Sequence, residues 1–483
     1  MLNRFLLTCV VVCSFGRLVL AADTAASPRI EKPVGRPNIL FILTDDQRWD
    51  AVGHSKAFGI QTPNIDALAA EGVRFRNMFV TTAICAASRA TILTGLHERT
   101  HRYTFGTKPI TAEHAAASYP RLLKDAGYRT GHVGKFGVAV ADAGQKAMYD
   151  VFTPLGHPYL KKQPDGTERH LTDIEAENAI KFIEGSDPAK PWCLSLCFNS
   201  PHAEDNNPRQ YIWAKESDGL YEDLTFVPPA TMAESFFESQ PDFIKNSESR
   251  KRFKWRFDEP AKYQEMVRGY FRMIADVDRA IGRVRKAVAD KGQADNTVIV
   301  FTADNGYFLG DRGLADKWYI YEESIRVPLI IADPLLKDRH GAVIDQMALN
   351  LDLAPTMLAR AGIAVPRHYQ GRSLLPLLTG EAQVPWRDDF FYEHLMDANG
   401  PGAIIPKSEG VRNERFTYVR WFQAKPLVEE LYDHEADFHC TKNLIADPAF
   451  AATADALRKR TTELRDQYGG PWVSNAAEKP KRK

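Results

Sequence analysis

Two short apolar runs, Ile39 to Leu43 and Thr297 to Phe301, each lead into a pair of oxygen-bearing side chains, Asp45-Asp46 and Asp304-Asn305. Runs this short and this continuously apolar read as strands covered on both faces. Between and around them the periodicity turns helical. Pro63 to Glu71 reads as a helix with Thr62 at its cap and Gly72 as its stop. From Tyr263 to Val288 the residues Met266, Tyr270, Ile274, Val277, Ile281, Val284 and Val288 recur at three- and four-residue intervals. Strands alternating with helices dictate an α/β architecture, a parallel sheet flanked by helices.

In such sheets ligands bind beyond the carboxyl ends of the strands, where both acidic pairs fall. An Asp after a strand is more often a cap or turn residue than a ligand. The matching positions of the two pairs nevertheless let four oxygen donors, Asp45, Asp46, Asp304 and Asn305, converge on one hard cation. Calcium suits that set best, with magnesium open. No Cys-Cys or His-His spacing suggests zinc.

At 483 residues and 44% hydrophobic content the chain can bury a large core or two packed domains. Its 62 basic and 62 acidic residues balance, so no overall field attracts nucleic acid or an anionic membrane, and anion recognition must be local. Arg4 followed by the apolar run Phe5 to Phe15 and by Val19-Leu20-Ala21 reads as an export signal, residues 1 to 22. A membrane anchor is the alternative, but the run is short for a bilayer and Arg17 interrupts it. Export to a periplasmic or extracellular space leaves Cys85, Cys193, Cys197 and Cys440 in the mature chain, too few for a disulfide scaffold. On one strand Cys193 and Cys197 would stand ~13 Å apart, beyond bonding distance.

The texture changes near Gly371, and a boundary is expected at 365 to 380, dividing residues 36 to 370 from a smaller C-terminal α+β subdomain, 371 to 470. Its strands would include Phe390 to Tyr392 and Phe416 to Trp421, closed by a helix near Asp455 to Tyr468 and followed by a basic tail, 471 to 483.

The stretch Cys85-Ala86-Ala87-Ser88-Arg89, continuing to Thr94-Gly95, resembles the signature of the formylglycine-dependent type I sulfatases of the alkaline phosphatase superfamily. The resemblance extends through Gly131-His132-Val133-Gly134-Lys135, Asn199-Ser200-Pro201-His202, Asp304-Asn305-Gly306 to Lys317, Glu322-Glu323, Arg326-Val327-Pro328, and Leu431-Tyr432-Asp433 to Asn443-Leu444. It implies an alkaline phosphatase-like fold with a large, mostly parallel sheet. It also implies that a maturation enzyme oxidises Cys85 to formylglycine, whose hydrate attacks the sulfur of a sulfate ester and then releases inorganic sulfate. Cys85 in that form would join the metal ligands. Arg89 and a helix starting at Cys85 would favour the anion. Lys135, His202 and Lys317 would contact the sulfate, with His202 preferred as general acid.

One departure stands out. Many members of that family carry Lys-x-His where this chain has Lys135-Phe136-Gly137. His97, His101 and His132 are the nearby substitutes in sequence, though each is more often an ordinary polar residue. Substrate choice should fall to the irregular region Ala203 to Pro260 and to the C-terminal subdomain. There, Arg250 to Arg256 interleaves basic and aromatic groups, which is more often a solvated face than a sugar site, and Tyr392-Glu393-His394 is a second candidate for substrate contact. A sulfated carbohydrate is the favoured substrate, with small sulfates open. The alternatives are a phosphodiesterase or phosphonate hydrolase of the same superfamily and a catalytically silent sulfated-glycan-binding protein.

Overall fold

The computed structural model describes residues 36–381, 384–396 and 405–475, so the segment expected to be an export signal and most of the basic tail lie outside the described residues. From Arg36 onward the chain forms one compact unit. In chain order its main elements are β1 (Asn38–Thr44), α1 (Pro63–Glu71), β2 (Val73–Phe75), α2 (Cys85–Thr94), β3 (Arg129–Gly134) and β4 (Val151–Pro154). There follow α3 (Leu171–Glu184), β5 (Trp192–Cys197), α4 (Glu248–Arg256), α5 (Pro260–Asp290), β6 (Thr297–Ala303), β7 (Leu329–Ala332) and β8 (Val343–Ile344).

The eight strands form one sheet in the order β8-β2-β7-β6-β1-β5-β3-β4. Neighbours run parallel except β7, which is antiparallel to both β2 and β6. The expected mostly parallel sheet is therefore present, with one reversed strand. Every residue of β1 and β5 is buried. Alternation along β1 explains why: Ile39, Phe41 and Leu43 face the core containing Ala86, Ala87 and Ala90 of α2. Leu40 and Ile42 face the opposite core, built with Ala176 and Ala179 of α3 and Val277, Ile281 and Val284 of α5. All seven periodic positions of α5 are buried. Pro260, at the start of this helix, fits because a first-turn N–H has no helical partner to lose.

Beyond the expected boundary at 365 to 380, β9 (Asp389–His394), β10 (Ser408–Asn413), β11 (Phe416–Trp421) and β12 (Val428–Asp433) form an antiparallel meander, followed by α6 (Ala451–Gln467). One face of this sheet, with Phe391, Val411, Tyr418 and Leu431, packs under Ala454, Leu457 and Leu464 of α6. The other, with Phe390, Tyr392, Val419 and Tyr432, belongs to the main core. Cys85, Cys193, Cys197 and Cys440 are all free and buried. Among the described residues no helix is long and apolar enough to cross a membrane.

Candidate active site

Register brings the site together. Leu43 pairs with Cys197, Thr44 with Ala303, and Gly134 with Cys197. Strands β3, β5, β1 and β6 therefore end at nearly one level, and the residues that follow them meet. Strand β1 delivers Asp45 and Asp46 and β6 delivers Asp304 and Asn305, all fully buried. The Asp46 amide donates to Asp304 Oδ1 at 3.3 Å, and Asn305 Nδ2 donates to Asp46 Oδ1 at 2.6 Å. Asp46 adopts φ 68, a left-handed conformation that a short polar side chain tolerates better than most and that recurs at functional sites.

Two acceptors in this group, Asp45 Oδ1 and Asn305 Oδ1, are buried with no hydrogen-bond partner. Unmatched buried oxygens are costly unless a cation faces them, so the four side chains fit a hard divalent ion. Asp45, Asp46 and His202 also offer ligand atoms within 4.8 Å of one another. Burial and then Asp45 push Asp304 up to about 7. Burial, opposed by Lys317 and reinforced by Asp45, pushes Asp46 up to about 6. Burial would raise Asp45 as well, but Lys135, His202, Arg89 and Lys317 hold it well below the usual carboxylate range.

Cys85 opens α2, a helix whose ten residues are all buried. Burial pushes its thiol above the ordinary value, so as a thiol it offers the cation no hard donor. The ligand role is expected of an oxidised Cys85, not of this free thiol. Arg89 lies one turn further along the same helix face. Its Nε donates to Asp304 Oδ2 at 2.7 Å and its Nη1 donates to the carbonyl of Lys135. The guanidinium thus braces a metal-site carboxylate and the lysine backbone from behind.

A cavity of about 730 Å³ opens above this group, with Cys85, Lys135, His157, His202 and Lys317 among the residues lining it. Lys135 enters through Gly134, whose φ is +96 and where a Cβ would stand 2.0 Å from the Cys197 carbonyl oxygen. That same oxygen accepts from the Lys135 amide at 2.8 Å. The Lys135 ammonium pairs with Asp45 Oδ2. Lys317 Nζ lies 2.7 Å from Asp46 Oδ1 and 2.8 Å from Asp46 Oδ2. Burial opposes charge on both lysines, but the facing carboxylates, Asp45 for Lys135 and Asp46 for Lys317, raise both and keep them protonated.

His202 Nδ1 lies 2.6 Å from the Ala203 carbonyl oxygen, so it donates there, while Nε2 stands 3.7 Å from Asp46 Oδ2. Burial and then Lys317 pull this imidazole down to about 3. The general-acid role expected of His202 therefore finds the ring in place with its proton on the far nitrogen. An anion bound in the cavity would favour the imidazolium form that carries a proton at Nε2 as well.

The expected substrate contacts Tyr392, Glu393 and His394 are corrected by the structure. All three are fully buried on β9. Tyr392 donates to the Trp318 carbonyl at 2.8 Å, and Glu393 pairs with Arg99 at 2.9 Å. The strand is covered by α6 on one side and the main core on the other, so these side chains never reach a rim. The three substitute histidines are buried elsewhere. His97 stacks on Tyr468, His101 faces Thr91 Oγ1 at 3.0 Å, and His132 packs among Phe136, Tyr149 and Phe152. Gly137 itself has φ +71, and a Cβ there would stand 2.9 Å from Arg89 Cδ, so a side chain at this position would require Arg89 to shift.

His157 was not legible as a site residue. It lines the cavity and its ring lies 5.7 Å from that of His202. The available signal was position, since His157 follows β4 at the same carboxyl edge. The run Arg250 to Arg256 is divided. Lys251, Lys254 and Trp255 face solvent, whereas Arg252 reaches the cavity and Arg256 is fully buried.

The family model described as Sulfatase matches residues 37–363, and one described as N-sulphoglucosamine sulphohydrolase, C-terminal, matches residues 310–467. An N-acetylglucosamine-6-O-sulfatase from Bacteroides thetaiotaomicron is 29% identical, the alignment spanning 93% of this chain and 89% of that protein. A solved structure of a protein in complex with its substrate D-glucosamine-2-N,6-O-disulfate superposes with TM-score 0.78 at 28% identity, covering 90% of this chain and 98% of that one. The phosphonate monoester hydrolase of Agrobacterium radiobacter superposes with TM-score 0.74 at 25% identity, covering 90% and 96%.

Proposed function

The chain belongs to the sulfatase family and is a sulfuric ester hydrolase, and from that premise we propose that it is exported and cleaves the sulfate ester of a carbohydrate, with oxidised Cys85 as nucleophile. The observation that carries this reading is the convergence of Cys85, Lys135, His202 and Lys317 on one cavity, with Lys135 paired to Asp45 and Lys317 to Asp46 of the buried acidic group. When present, the divalent cation polarises the sulfate oxygens and the oxidised Cys85 side chain supplies the attacking hydroxyl. Calcium suits the oxygen-only set of Asp45, Asp46, Asp304 and Asn305 best, with magnesium the alternative.

The chain's own residues divide the remaining work. Lys135 and Lys317 bring fixed positive charge to the sulfate, and a site that excludes water makes each charge count for more. Arg89 holds Asp304 and Lys135 in register. His202, turned by its bond to Ala203, presents Nε2 to the cavity where the leaving alcohol takes up a proton. The S–O bond to the alcohol breaks, the alcohol departs with that proton, and water makes up the net balance as inorganic sulfate is released.

A carbohydrate alcohol is supported by the likeness to glucosamine-directed relatives and by Phe105 and Trp318 on the cavity wall. Export is supported by the apolar run Phe5 to Phe15 and the small-residue site after it. The test is sulfate release from N-acetylglucosamine 6-sulfate and an aryl sulfate, beside phosphonate monoester hydrolysis, by protein co-expressed with a formylglycine-generating enzyme. We expect sulfate release to dominate and to fall by about 10³-fold or more in Cys85→Ser, made where serine is not matured, with an unchanged melting curve. Retained release in that variant, or faster phosphonate hydrolysis, contradicts the reading.

A further inference from the structure

The outer wall of the cavity is not positive like its floor. Asp205, Glu248 and Arg252 line it, and Arg252 is already committed. Its Nη1 lies 2.9 Å from Asp205 Oδ2 and 2.5 Å from Asp316 Oδ2, and its Nε lies 3.1 Å from Glu248 Oε1. Arg256, fully buried, takes the second oxygens of the two aspartates, at 2.5 Å from Asp205 and 2.6 Å from Asp316. Three carboxylates thus face two guanidinium groups. Lys251 approaches Glu248 at 3.5 Å, but it is 52% exposed and lies on the solvent side, where its charge is screened. The side chains of Asp205 and Glu248 remain 27% and 20% exposed, and both line the cavity.

On the sulfate-ester reading, we infer that Asp205 and Glu248 select the alcohol half of the substrate: a sugar that carries one sulfate only and offers hydroxyl or ammonium donors to this wall. The floor holds the single anion. A second sulfate or carboxylate on the same sugar ring meets part-exposed carboxylates and an arginine with its charge already matched, and like charges brought together in a partly desolvated cleft disfavour binding. Donors on the ring meet carboxylate oxygens that each engage one cation and keep a second lone pair to accept with. Trp318 lies 5.3 Å from the Arg252 guanidinium, so the wall also presents an apolar surface to a sugar ring, and specificity rests on the absence of a second charge.

The experiment compares three probes on matured enzyme: glucosamine 6-sulfate, N-acetylglucosamine 6-sulfate and glucosamine 2-N,6-O-disulfate. Release of the 6-sulfate is expected to be weakest for the disulfate by about tenfold in kcat/KM, the scale of one like-charge contact near a protein surface, with the loss in KM. The gap should narrow at raised ionic strength and in Glu248→Gln, which removes charge without altering shape. Asp205→Asn should act the same way, but it also bears on buried Arg256, so Glu248→Gln decides. Binding of the three probes to Cys85→Ala protein, read by calorimetry, should follow the same order without needing turnover. Equal or tighter binding of the disulfate, or a gap that neither Glu248→Gln nor salt alters, overturns the inference. Absence of sulfate release from all three overturns the function proposed above, while the binding order still decides the role of the wall.

Discussion

Asp45 Oδ1 and Asn305 Oδ1 show how much of this chain's behaviour is decided at single atoms. Each is a buried acceptor without a donor, a condition that costs about 1–3 kcal/mol per group when nothing compensates it, and both lie at the one place where four oxygen-bearing side chains meet. His394 presents the reverse case, a buried base on β9 away from the acidic group. It is fully buried and neither ring nitrogen has a partner among the described residues. Burial and then Lys407 pull it down to about 3, against about 6.5 in an unfolded chain. Between those values the unfolded chain binds the proton and the folded chain does not, so stability falls as pH drops from about 6.5 toward 3. His97, His101 and His132, each pulled down to about 3 by burial, act in the same direction. We expect His394→Leu to lose about 1–2 kcal/mol less stability than the parent between pH 6.5 and pH 5, measured by urea unfolding. Parallel pH profiles for the two proteins would show that His394 is not held neutral.

At the scale of elements, the site is the common end of four parallel strands, and the turn out of β3 is its tightest point. Ala at Gly134 would need a positive φ and would drive its Cβ into the Cys197 carbonyl that holds the Lys135 amide. Gly134→Ala should therefore cost about 2–4 kcal/mol in urea unfolding and move Lys135 off Asp45. A loss below about 1 kcal/mol would mean that the turn relaxes freely. Much of this element structure was legible. The helix at Pro63–Glu71 has the bounds that proline and glycine predict, and α5 follows from its seven apolar positions. The acid pairs were legible as a site because strand ends are marked by where the apolar run stops. Other features were not. An apolar run carries no direction, so the reversal of β7 left no trace in the sequence. Tyr392, Glu393 and His394 read as a rim because they are polar and follow a strand-like run, yet Phe390-Phe391-Tyr392 is apolar on both faces of the strand. That pattern is the mark of a strand covered on both sides, and the structure covers it. Arg89 drew attention as a positive charge favouring the anion, but only the fold shows that it faces Asp304.

At the scale of the whole molecule, the C-terminal sheet is joined to the catalytic sheet by buried charge as well as by apolar packing. Arg99 reaches Glu393 at 2.9 Å and Glu409 at 2.6 Å with only 3% of its side chain exposed. Removing one member of a buried ion-pair group strands the others, at about 3–5 kcal/mol. Arg99→Ala should lower stability by that amount and let protease cut the chain beyond Asp389 before the main core opens. A change under about 1 kcal/mol with no early cleavage would mean that packing alone holds the joint. The join explains why the domain boundary suggested by texture leads to a second layer of one compact unit. Balanced net charge leaves recognition to the cavity, and there the whole account turns on the state of Cys85. Peptide mass spectrometry across Cys85, on exported protein matured in the presence of a formylglycine-generating enzyme and assayed in parallel for sulfate release, measures that state directly. We expect a peptide lightened by exchange of sulfur for oxygen with loss of two hydrogens, its fraction rising in proportion to the rate of sulfate release. Full sulfate release by protein whose Cys85 is an unmodified thiol would contradict it.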